Sequence, residues 1–265
     1  MTYKVGFIGC GNMSSAIISG LINKATMEPA KIIASDAFEA TLKTASDKFN
    51  INTTSDNTLV AKEAEVIFLA VKPQYYEAVI AEIKDQITSD QIIVTIAPGK
   101  TLSWLEERFG QVKIVRTMPN TPALVGEGVT GVCRNSQVYD GEFQYIMSLI
   151  SSFGVAEDIP ESLMDVCVSV SGSSPAYVFM FIEAMADAAV ADGMPRDKAY
   201  KFAAQAVYGS AKMVLETGMH PGALKDMVCS PGGTTIEAVR VLEEKGFRSS
   251  VIEAMKACTA KAKGL

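Results

Sequence analysis

The sequence has 265 residues, of which 48% are hydrophobic and 20% charged, and a formal net charge of −6. This balance is typical of a folded globular protein and excludes a disordered or fibrous chain. Because the net charge is negative and no long cluster of lysine and arginine occurs, we do not expect nucleic acid or an anionic membrane as the principal partner. The five cysteines form no Cys-x-x-Cys pair, which predicts reduced thiols in a cytoplasmic protein.

Neither of the two most apolar segments has the pattern of a targeting or membrane segment. The run at residues 3–8 is too short for a signal peptide and is followed too soon by glycines. The longest apolar stretch, residues 176–191, carries Glu183 and Asp187 and is too interrupted for a spanning helix. The sequence therefore predicts a protein without a membrane segment.

The chain starts with a strand–turn–helix pattern. Residues 3–8 favour a strand, and the glycine turn Gly9-Cys-Gly11-Asn-Met-Ser14 leads into an apolar helical run. In a dinucleotide-binding turn the first glycine permits the tight bend, and the second lets the backbone approach a pyrophosphate. Ser14 stands where a third glycine or alanine is usual, and it is still small. A glycine motif alone is weak evidence, so a purely structural turn is the alternative.

The second predicted strand, residues 31–35, ends at Asp36. An acidic residue at this distance from the glycines commonly binds the adenosine ribose, which points towards NADH. Ser35 and Lys43 could instead help to hold a 2′-phosphate, and a solvent-exposed acid without a ligand is the structural alternative. NADH and NADPH therefore both stay open as the cofactor.

A nearly continuous apolar run at residues 65–71 predicts a parallel strand that is buried on both faces, and two more strands are predicted at residues 91–96 and 113–118. Helical runs lie between them, at residues 75–86 and 103–109. The strands end in Lys72-Pro73, in Ala97-Pro-Gly99 and in Pro119-Asn-Thr-Pro122, which should share one rim of the sheet. Lys72, at a strand's carboxyl end, is predicted to contact the cofactor; a solvated loop lysine is the alternative.

The pattern changes near residue 160. A strand at 126–133, a helix at 142–153 and a strand at 154–159 are followed only by helical runs, at residues 163–170, 175–192, 196–217, 223–228, 235–245 and 247–263. We therefore predict two domains: an α/β Rossmann-type dinucleotide-binding domain at 1–160, followed by an all-helical C-terminal domain at 161–265.

The predicted helical domain carries an apolar stripe at three- or four-residue spacing. Such a stripe is a core surface, either of this chain or of an interface with a partner subunit. Glu183, within the same helix, is either a buried acid or part of its polar face. The stripe consists of Tyr177, Phe181, Ala184, Met185 and Ala188.

The stretch at residues 228–237 has an unusual helix start. A Pro-Gly-Gly turn leads directly to Thr234 and Thr235, so backbone N–H groups and two hydroxyls converge at a helix N-terminus. Such an end attracts anions, although an ordinary capped helix is the alternative. His220, in a Met-His-Pro-Gly sequence, is predicted to be a turn residue; as the single histidine it also excludes a zinc site built from several histidines.

Six motifs, in this order, resemble the pyrroline-5-carboxylate reductase family over essentially the whole chain. The last of them is the most specific. They are Phe7-Ile-Gly-Cys-Gly-Asn-Met13, Ala70-Val-Lys-Pro73, Met118-Pro-Asn-Thr-Pro122, Ser171-Gly-Ser-Ser-Pro-Ala-Tyr177, His220-Pro-Gly-Ala-Leu-Lys-Asp226 and Val228-Cys-Ser-Pro-Gly-Gly-Thr-Thr-Ile236.

The resemblance implies reduction of the cyclic imine Δ1-pyrroline-5-carboxylate to L-proline by NADPH or NADH. It also implies a helical domain that interlocks with a partner into a homodimer, with rings of dimers in many members. On this basis the helix start at residues 232–235 meets the nicotinamide across the dimer, although the sequence leaves open whether it acts within one chain.

The resemblance also implies the site residues. Ser173, Ser174, Gly232, Gly233, Thr234 and Thr235 would receive the substrate, and we hypothesise that the Thr235 hydroxyl binds the ring nitrogen as the catalytic contact. Asp36 and Pro73 complete the predicted cofactor set. The remaining cofactor residues are Ile8, Gly9, Cys10, Gly11, Asn12, Met13, Ser35, Asn57, Ala70, Val71, Lys72, Ala97, Pro98 and Gly99.

Two other classes of protein are alternatives to this family. 3-Hydroxyacid dehydrogenases share the domain order, but they need a catalytic lysine in the helical part, and no lysine here lies in such a motif. The second alternative is a non-catalytic dinucleotide-binding regulator or membrane-associated binding module. The intact glycine and Ser-Pro-Gly-Gly-Thr-Thr motifs argue against it.

Overall fold

A computed structural model describes residues 1–264 and divides the chain into two compact units. The first unit contains Met1–Ser173 together with the chain from Thr259 onward, and the second contains Ser174–Cys258. The first unit is an α/β domain and the second is entirely helical, as the sequence predicts for the fold class.

An eight-stranded sheet forms the centre of the first unit, in the order β3-β2-β1-β4-β5-β6-β7-β8. The first six strands in sequence are parallel, as in a Rossmann fold; β7 runs antiparallel to β6, and β8 is parallel to β7. The strands are β1 (Tyr3–Ile8), β2 (Ile32–Ser35), β3 (Asn52–Thr54), β4 (Ala64–Leu69), β5 (Ile92–Thr95), β6 (Lys113–Met118), β7 (Gly128–Arg134) and β8 (Gly154–Asp158).

Helices cover both faces of this sheet. Phe7 and Phe68, on neighbouring strands, stack with ring centroids 4.9 Å apart inside the core on one face. The near-continuous burial of β4 and β5 explains why their sequences are mostly apolar, whereas β6 is equally buried but includes Arg116 and Thr117. The helices of this unit up to β8 are α1 (Asn12–Asn23), α2 (Glu39–Phe49), α3 (Asn57–Glu63), α4 (Tyr76–Ile83), α5 (Leu102–Phe109) and α6 (Asp140–Ile150).

Three elements are absent from the sequence prediction: β3, α2 and α3. The three-residue strand β3 is rich in Asn and Thr and pairs only with β2, so it lacks an apolar pattern. Only Ala45 and Phe49 are buried in α2, and its polar surface hides the helical period. β3 and α2 are therefore stabilised at the sheet edge rather than by a strong local pattern, whereas the short helix α3 packs on the sheet through the buried Val60 and Ala61.

The first compact unit extends beyond the boundary that the sequence predicts at residue 160. Residues Glu161–Gly172 form a 3₁₀ turn, the short helix α7 (Met164–Cys167) and a π-helical turn, Val168–Gly172. The side chain of Met164 is fully buried in the core of the first unit. This packing explains why the compact unit continues to Ser173.

A buried ion pair joins this segment to the sheet. Arg116 on β6 donates to the Glu161 carboxylate at 2.8 Å, and its side chain is only 3% exposed. The same carboxylate oxygen accepts the Leu102 N–H at 2.7 Å, at the start of α5. The Nε and Nη2 atoms of Arg116 are buried without a hydrogen-bond partner, and the Asp165 carboxylate lies 3.8 Å from Nη2. Glu161 therefore supplies the hydrogen-bonded carboxylate and Asp165 a more distant one.

Replacing Glu161 with glutamine is expected to lower the free energy of unfolding by about 2 kcal/mol, because the buried Arg116 charge then faces only the more distant Asp165 carboxylate, 3.8 Å away. The expected loss is below the full value for a buried pair because the Glu161 side chain is 33% exposed. The control is Glu77→Gln, which breaks a 2.9 Å ion pair with Arg108. Because the Glu77 side chain is 69% exposed, this change should lower the free energy of unfolding by less than about 1 kcal/mol. Urea unfolding at one protein concentration measures both; equal losses would contradict this prediction.

The second unit consists of helices with little buried surface of its own. Ala186, Ala199 and Ala203 are its only buried residues within the described chain. Phe181 is 41% exposed and contacts Phe247 at a ring distance of 6.1 Å, and Glu183 is exposed. The predicted apolar stripe therefore does not form a closed core within one chain. The helices are α8 (Ser174–Ala191), α9 (Arg196–Thr217), α10 (Pro221–Val228), α11 (Thr234–Glu244) and α12 (Phe247–Ala262), whose last turns belong to the first unit.

One helical segment, Glu161–Ala191, is long and apolar enough to cross a membrane by length and composition alone, with a mean hydropathy of 1.3. Only 6% of that window is buried in the isolated chain. It is assembled from 3₁₀, α- and π-helical pieces, with Glu161, Asp165 and Glu183 along it. Its length and composition are therefore weak support for a spanning helix, because a helix that packs against another subunit has the same properties.

Candidate functional site

The glycine turn after β1 is held by close backbone contacts. Gly9 has a φ of +103°, and a Cβ there would lie 2.8 Å from the carbonyl carbon and oxygen of Ala70. The Ala70 N–H donates to the Ile8 carbonyl at 2.8 Å, which joins the ends of β1 and β4. The buried Ser14 hydroxyl donates to the Gly9 carbonyl at 2.6 Å. Only glycine fits at position 9, and serine in place of the usual third glycine stabilises the turn.

Gly11, in contrast, borders open space. A Cβ at this position would meet no atom within 4 Å, and its φ is −71°. It is the N-cap of α1, where no side chain caps the helix, and Asn12 is exposed. The N–H groups of the first turn are therefore available to an anion, as a dinucleotide pyrophosphate requires. The turn thus fits a nicotinamide dinucleotide on the geometry of its backbone.

Asp36 and the side chains near it tie this turn to the neighbouring strand. One Asp36 carboxylate oxygen accepts the Cys10 N–H at 2.8 Å, and the other accepts the Phe38 N–H at 2.9 Å. The buried Ser35 hydroxyl donates to the Asn57 side-chain oxygen at 2.7 Å. The Asn57 side-chain N–H in turn donates to the Glu82 carboxylate at 2.9 Å. The structure brings these predicted residues together and gives Asp36 a role in shaping the turn.

Burial, and secondarily the Asp36 carboxylate, raises the pKa of the Cys10 thiol from 9.0 to about 12. Burial also raises the pKa of Cys133, on β7, to about 12. Both thiols are therefore protonated and poorly nucleophilic at neutral pH, and Cys10 is not a catalytic nucleophile.

The raised pKa values of these two thiols predict that the folded protein loses stability at alkaline pH. In the unfolded chain they ionise near pH 9, whereas in the folded chain they stay protonated to about pH 12. The folded state then holds more protons, so stability present below pH 9 is lost as the pH rises towards 12. Urea midpoints are expected to fall across this range, and less steeply for a Cys10→Ala, Cys133→Ala double variant. A wild-type midpoint that stays level would contradict the prediction.

The rim loops after β4 and β5 carry the other predicted cofactor residues. Lys72 is exposed and precedes a 3₁₀ turn at Pro73–Tyr75, and Val71 is half-buried. Ala97 is buried, whereas Pro98 and Gly99 are exposed, and the φ of Gly99 is +74°. All of these residues follow the carboxyl ends of parallel strands, where ligands bind in open α/β sheets.

Tyr76 supports these two loops, and sequence reasoning missed it. Its fully buried hydroxyl donates to the Leu69 carbonyl at 2.6 Å and lies 2.9 Å from the Thr95 hydroxyl. Burial raises the pKa of this phenol to about 12. The residue joins the last residues of β4 and β5 beneath the rim. No motif marks it, because a tyrosine in an apolar helix looks like an ordinary core residue.

The Ser-Pro-Gly-Gly-Thr-Thr stretch forms a tight turn before α11. Gly232 has a φ of +66°, and a Cβ at Gly233 would collide with the Ser230 side chain. The Gly233 N–H donates to the Ser230 carbonyl at 3.0 Å. No side chain caps α11; Thr234 is exposed and Thr235 half-buried. An open helix N-terminus with an adjacent hydroxyl can bind a carboxylate and donate or accept one more hydrogen bond.

Ser173 and Ser174 lie where the two compact units divide. Both are half-buried, and α8 begins at Ser174 directly after the π-helical turn. The glycine turn and its rim loops belong to the first unit, and Gly232–Thr235 belong to the second. His220 is the turn residue that the sequence predicts: its Nδ1 accepts the Gly222 N–H at 3.0 Å and caps α10.

Comparisons with known proteins show which family this chain resembles. A family model described as "Pyrroline-5-carboxylate reductase dimerisation" matches residues 161–265, and one described as "NADP oxidoreductase coenzyme F420-dependent" matches residues 4–99. Pyrroline-5-carboxylate reductase of Escherichia coli (strain K12) is 55% identical, over 100% of this chain and 99% of its own.

Solved structures of similar proteins cover the chain just as fully. A pyrroline-5-carboxylate reductase from Coxiella burnetii is 35% identical, with a TM-score of 0.91, over 100% of this chain and 98% of its own. The Plasmodium falciparum pyrroline carboxylate reductase with NADP bound is 33% identical, with a TM-score of 0.90, over 99% of this chain and 97% of its own.

Proposed function

The chain belongs to the pyrroline-5-carboxylate reductase family, and from this premise we propose that it reduces Δ1-pyrroline-5-carboxylate to L-proline. One observation carries the proposal. Two helices, α1 and α11, each begin at a glycine N-cap, Gly11 and Gly233, and neither helix is capped by a side chain. One suits the pyrophosphate of a nicotinamide dinucleotide and the other suits the carboxylate of a small imino acid.

The substrate carboxylate is assigned to the start of α11. The backbone N–H groups of Gly232 and Thr234 are assigned to the carboxylate, whereas the Gly233 N–H closes the turn on the Ser230 carbonyl. The helix dipole adds to the attraction for an anion. Because the glycines have no side chains, the carboxylate can approach the backbone closely. Ser173 and Ser174 complete the proposed substrate set.

The Thr235 hydroxyl is assigned to the ring nitrogen. A cyclic imine is protonated readily, so reduction needs an oriented substrate and a proton on nitrogen more than a strong base. A half-buried hydroxyl at a helix N-terminus can hold that N–H in one direction. This account explains how the chain can work without a catalytic histidine: His220 caps a helix, and the Cys10 and Cys133 thiols stay protonated.

The reduced nicotinamide cofactor is assigned to the glycine turn and the rim loops, and when bound it supplies the hydride. Gly11 and the first turn of α1 would bind the pyrophosphate, and the Ser35–Asn57 pair would lie beside the adenosine ribose. Asp36 is already bound to the Cys10 and Phe38 N–H groups, which favours a positioning role over exclusion of a 2′-phosphate. We therefore propose that NADPH and NADH are both accepted. Initial rates with each coenzyme at saturating imine measure the preference.

A homodimer, or a ring of dimers, is the proposed assembly, in the cytoplasm. Support comes from the exposed apolar side chains of the second unit, such as Phe179 and Met180, which are 63% and 68% exposed in one chain. Dilution below the dimer dissociation constant is expected to lower the activity per subunit, and concentration should restore it. Light scattering at the same concentrations gives the mass. A monomer with full activity would contradict this assembly.

The direct test is oxidation of NADPH or NADH on addition of Δ1-pyrroline-5-carboxylate, with L-proline identified as the product. A 3-hydroxyacid with oxidised cofactor serves as the negative control, since a hydroxyacid dehydrogenase would use it. A purified, folded protein that binds the cofactor but leaves the imine unreduced would contradict the proposed function.

A further inference from the structure

The chain reaches Ser173 through a π-helical turn, Val168–Gly172. The turn is closed by the Ser173 N–H, which donates to the Val168 carbonyl at 2.7 Å. Turns of this kind are rare and occur often at functional sites, because they shift the helix that follows. Here the shifted helix is α8, whose first residue is Ser174.

Asn120 connects this turn to the rim of the sheet. Its side chain is 7% exposed and lies just after β6. The Nδ2 group donates to the Ser171 carbonyl, inside the π-helical turn, at 3.1 Å. Its Oδ1 accepts the Val129 N–H, on β7, at 2.9 Å. One buried amide therefore holds the π-helical turn against the edge of the sheet at which the strands β1 to β6 end.

A second contact holds the same turn from the other end of the chain. The Thr259 hydroxyl, on α12, donates to the Ser169 hydroxyl at 2.8 Å. Ser169 is 1% exposed and donates in turn to the Val166 carbonyl at 2.9 Å. The turn is thus fixed at two of its five residues by groups that are distant in sequence.

We propose that Asn120 is a positioning residue for the imine, which acts by fixing the π-helical turn and through it the Ser173–Ser174 segment. The inference rests on the proposed function, in which these two serines receive the substrate. Asn120 acts through the backbone of Ser171 and lies outside the glycine turn. Its loss should therefore affect the imine more than the cofactor.

The test is Asn120→Asp, which preserves the shape of the side chain. The variant retains an oxygen that can accept the Val129 N–H, but it faces the Ser171 carbonyl with a second oxygen in place of the N–H donor. We expect kcat/KM for the imine to fall about 100-fold, the scale of a misplacement near 1 Å. The KM for the cofactor should stay within about twofold, since the glycine turn is untouched.

The matched control is Asn135→Asp, at the opposite end of β7. Asn135 is 6% exposed, and its oxygen accepts the Ile114 N–H at 3.1 Å. Its side-chain N–H groups donate to the Val112 carbonyl at 2.9 Å and to the Glu106 carboxylate at 3.0 Å. The same chemical change at the same burial should cost at least as much stability, because it also faces Glu106, without changing the imine kinetics. Equal kinetic losses in both variants, or a loss confined to cofactor KM, would overturn the role of Asn120.

If Asn120→Asp does not fold, Thr259→Val decides the question, because it removes only the hydroxyl that holds Ser169. We then expect the imine KM to rise about 3- to 10-fold, with no change in Thr217→Val, whose hydroxyl bonds within its own exposed helix. An unchanged imine KM in Thr259→Val would overturn the inference. A wild-type protein that leaves the imine unreduced would contradict the proposed function instead, which separates the two failures.

Discussion

Replacing Thr235 with alanine is expected to lower kcat/KM for Δ1-pyrroline-5-carboxylate by about 10- to 1000-fold, the range for loss of one oriented transition-state hydrogen bond. The physical reason is the position of Thr235 in the first turn of α11, where its half-buried hydroxyl lies beside open backbone N–H groups. The KM for the cofactor should hardly change, because no cofactor contact is assigned to this residue. Steady-state kinetics with each substrate varied in turn measure both effects.

Two further variants separate chemistry from structure at this helix start. Thr235→Ser retains the hydroxyl and should recover most of the activity, whereas Thr235→Val retains the shape and should not. Thr234→Ala is the matched control, since Thr234 is exposed and only its backbone N–H is assigned to the substrate. Unchanged kinetics in Thr235→Val would remove Thr235 from the mechanism.

A methyl group at Gly11 is expected to weaken cofactor binding by about 10- to 100-fold, equivalent to about 1–3 kcal/mol of steric strain. Gly11 has an ordinary φ of −71°, and a Cβ there touches no protein atom, so Gly11→Ala should fold normally. The added methyl group would occupy the space through which a pyrophosphate approaches the backbone. Trp104, the single tryptophan, lies in the same unit, so quenching of its emission measures cofactor affinity without the imine.

Gly141→Ala and Gly9→Ala are the controls for this substitution. Gly141, in α6, also borders open space, and its replacement should leave cofactor affinity unchanged. Gly9→Ala should instead destabilise the fold, because it combines a φ of +103° with a backbone contact at 2.8 Å. Unchanged cofactor affinity in Gly11→Ala would show that no ligand approaches the backbone at this point.

Much of the fold follows from local sequence patterns. The apolar runs at β4 and β5 are nearly continuous because these strands are buried on both faces, and this pattern predicts a parallel sheet. Residues without such a pattern were missed: β3 is short and polar, and α2 buries only two side chains. These elements form because the edge of the sheet offers them a partner, which a local pattern does not encode.

The roles of individual polar residues were harder to predict from the sequence. Asp36 stands where the motif predicts it, but only the folded chain places both its carboxylate oxygens on the N–H groups of Cys10 and Phe38. Tyr76 lies in no recognisable motif, and the motif that contains Asn120, Met118-Pro-Asn-Thr-Pro122, does not show what its side chain binds. In the fold, the buried polar groups of both residues connect strand ends and turns. Burial makes such groups important, since a buried donor or acceptor without a partner is costly.

The sequence by itself determined the glycine turn, the Thr-Thr helix start and the order of the two domains, because these depend on backbone freedom and on local periodicity. Only the tertiary structure decided which polar side chains support them. It extended the first compact unit to Ser173 through the burial of Met164 and the Arg116–Glu161 pair. It also left the apolar stripe of α8 without a closed core, because the five helices of the second unit bury only three alanines in one chain. Hydrophobic periodicity reports that a surface is buried, whereas the identity of the covering surface is a tertiary or quaternary property.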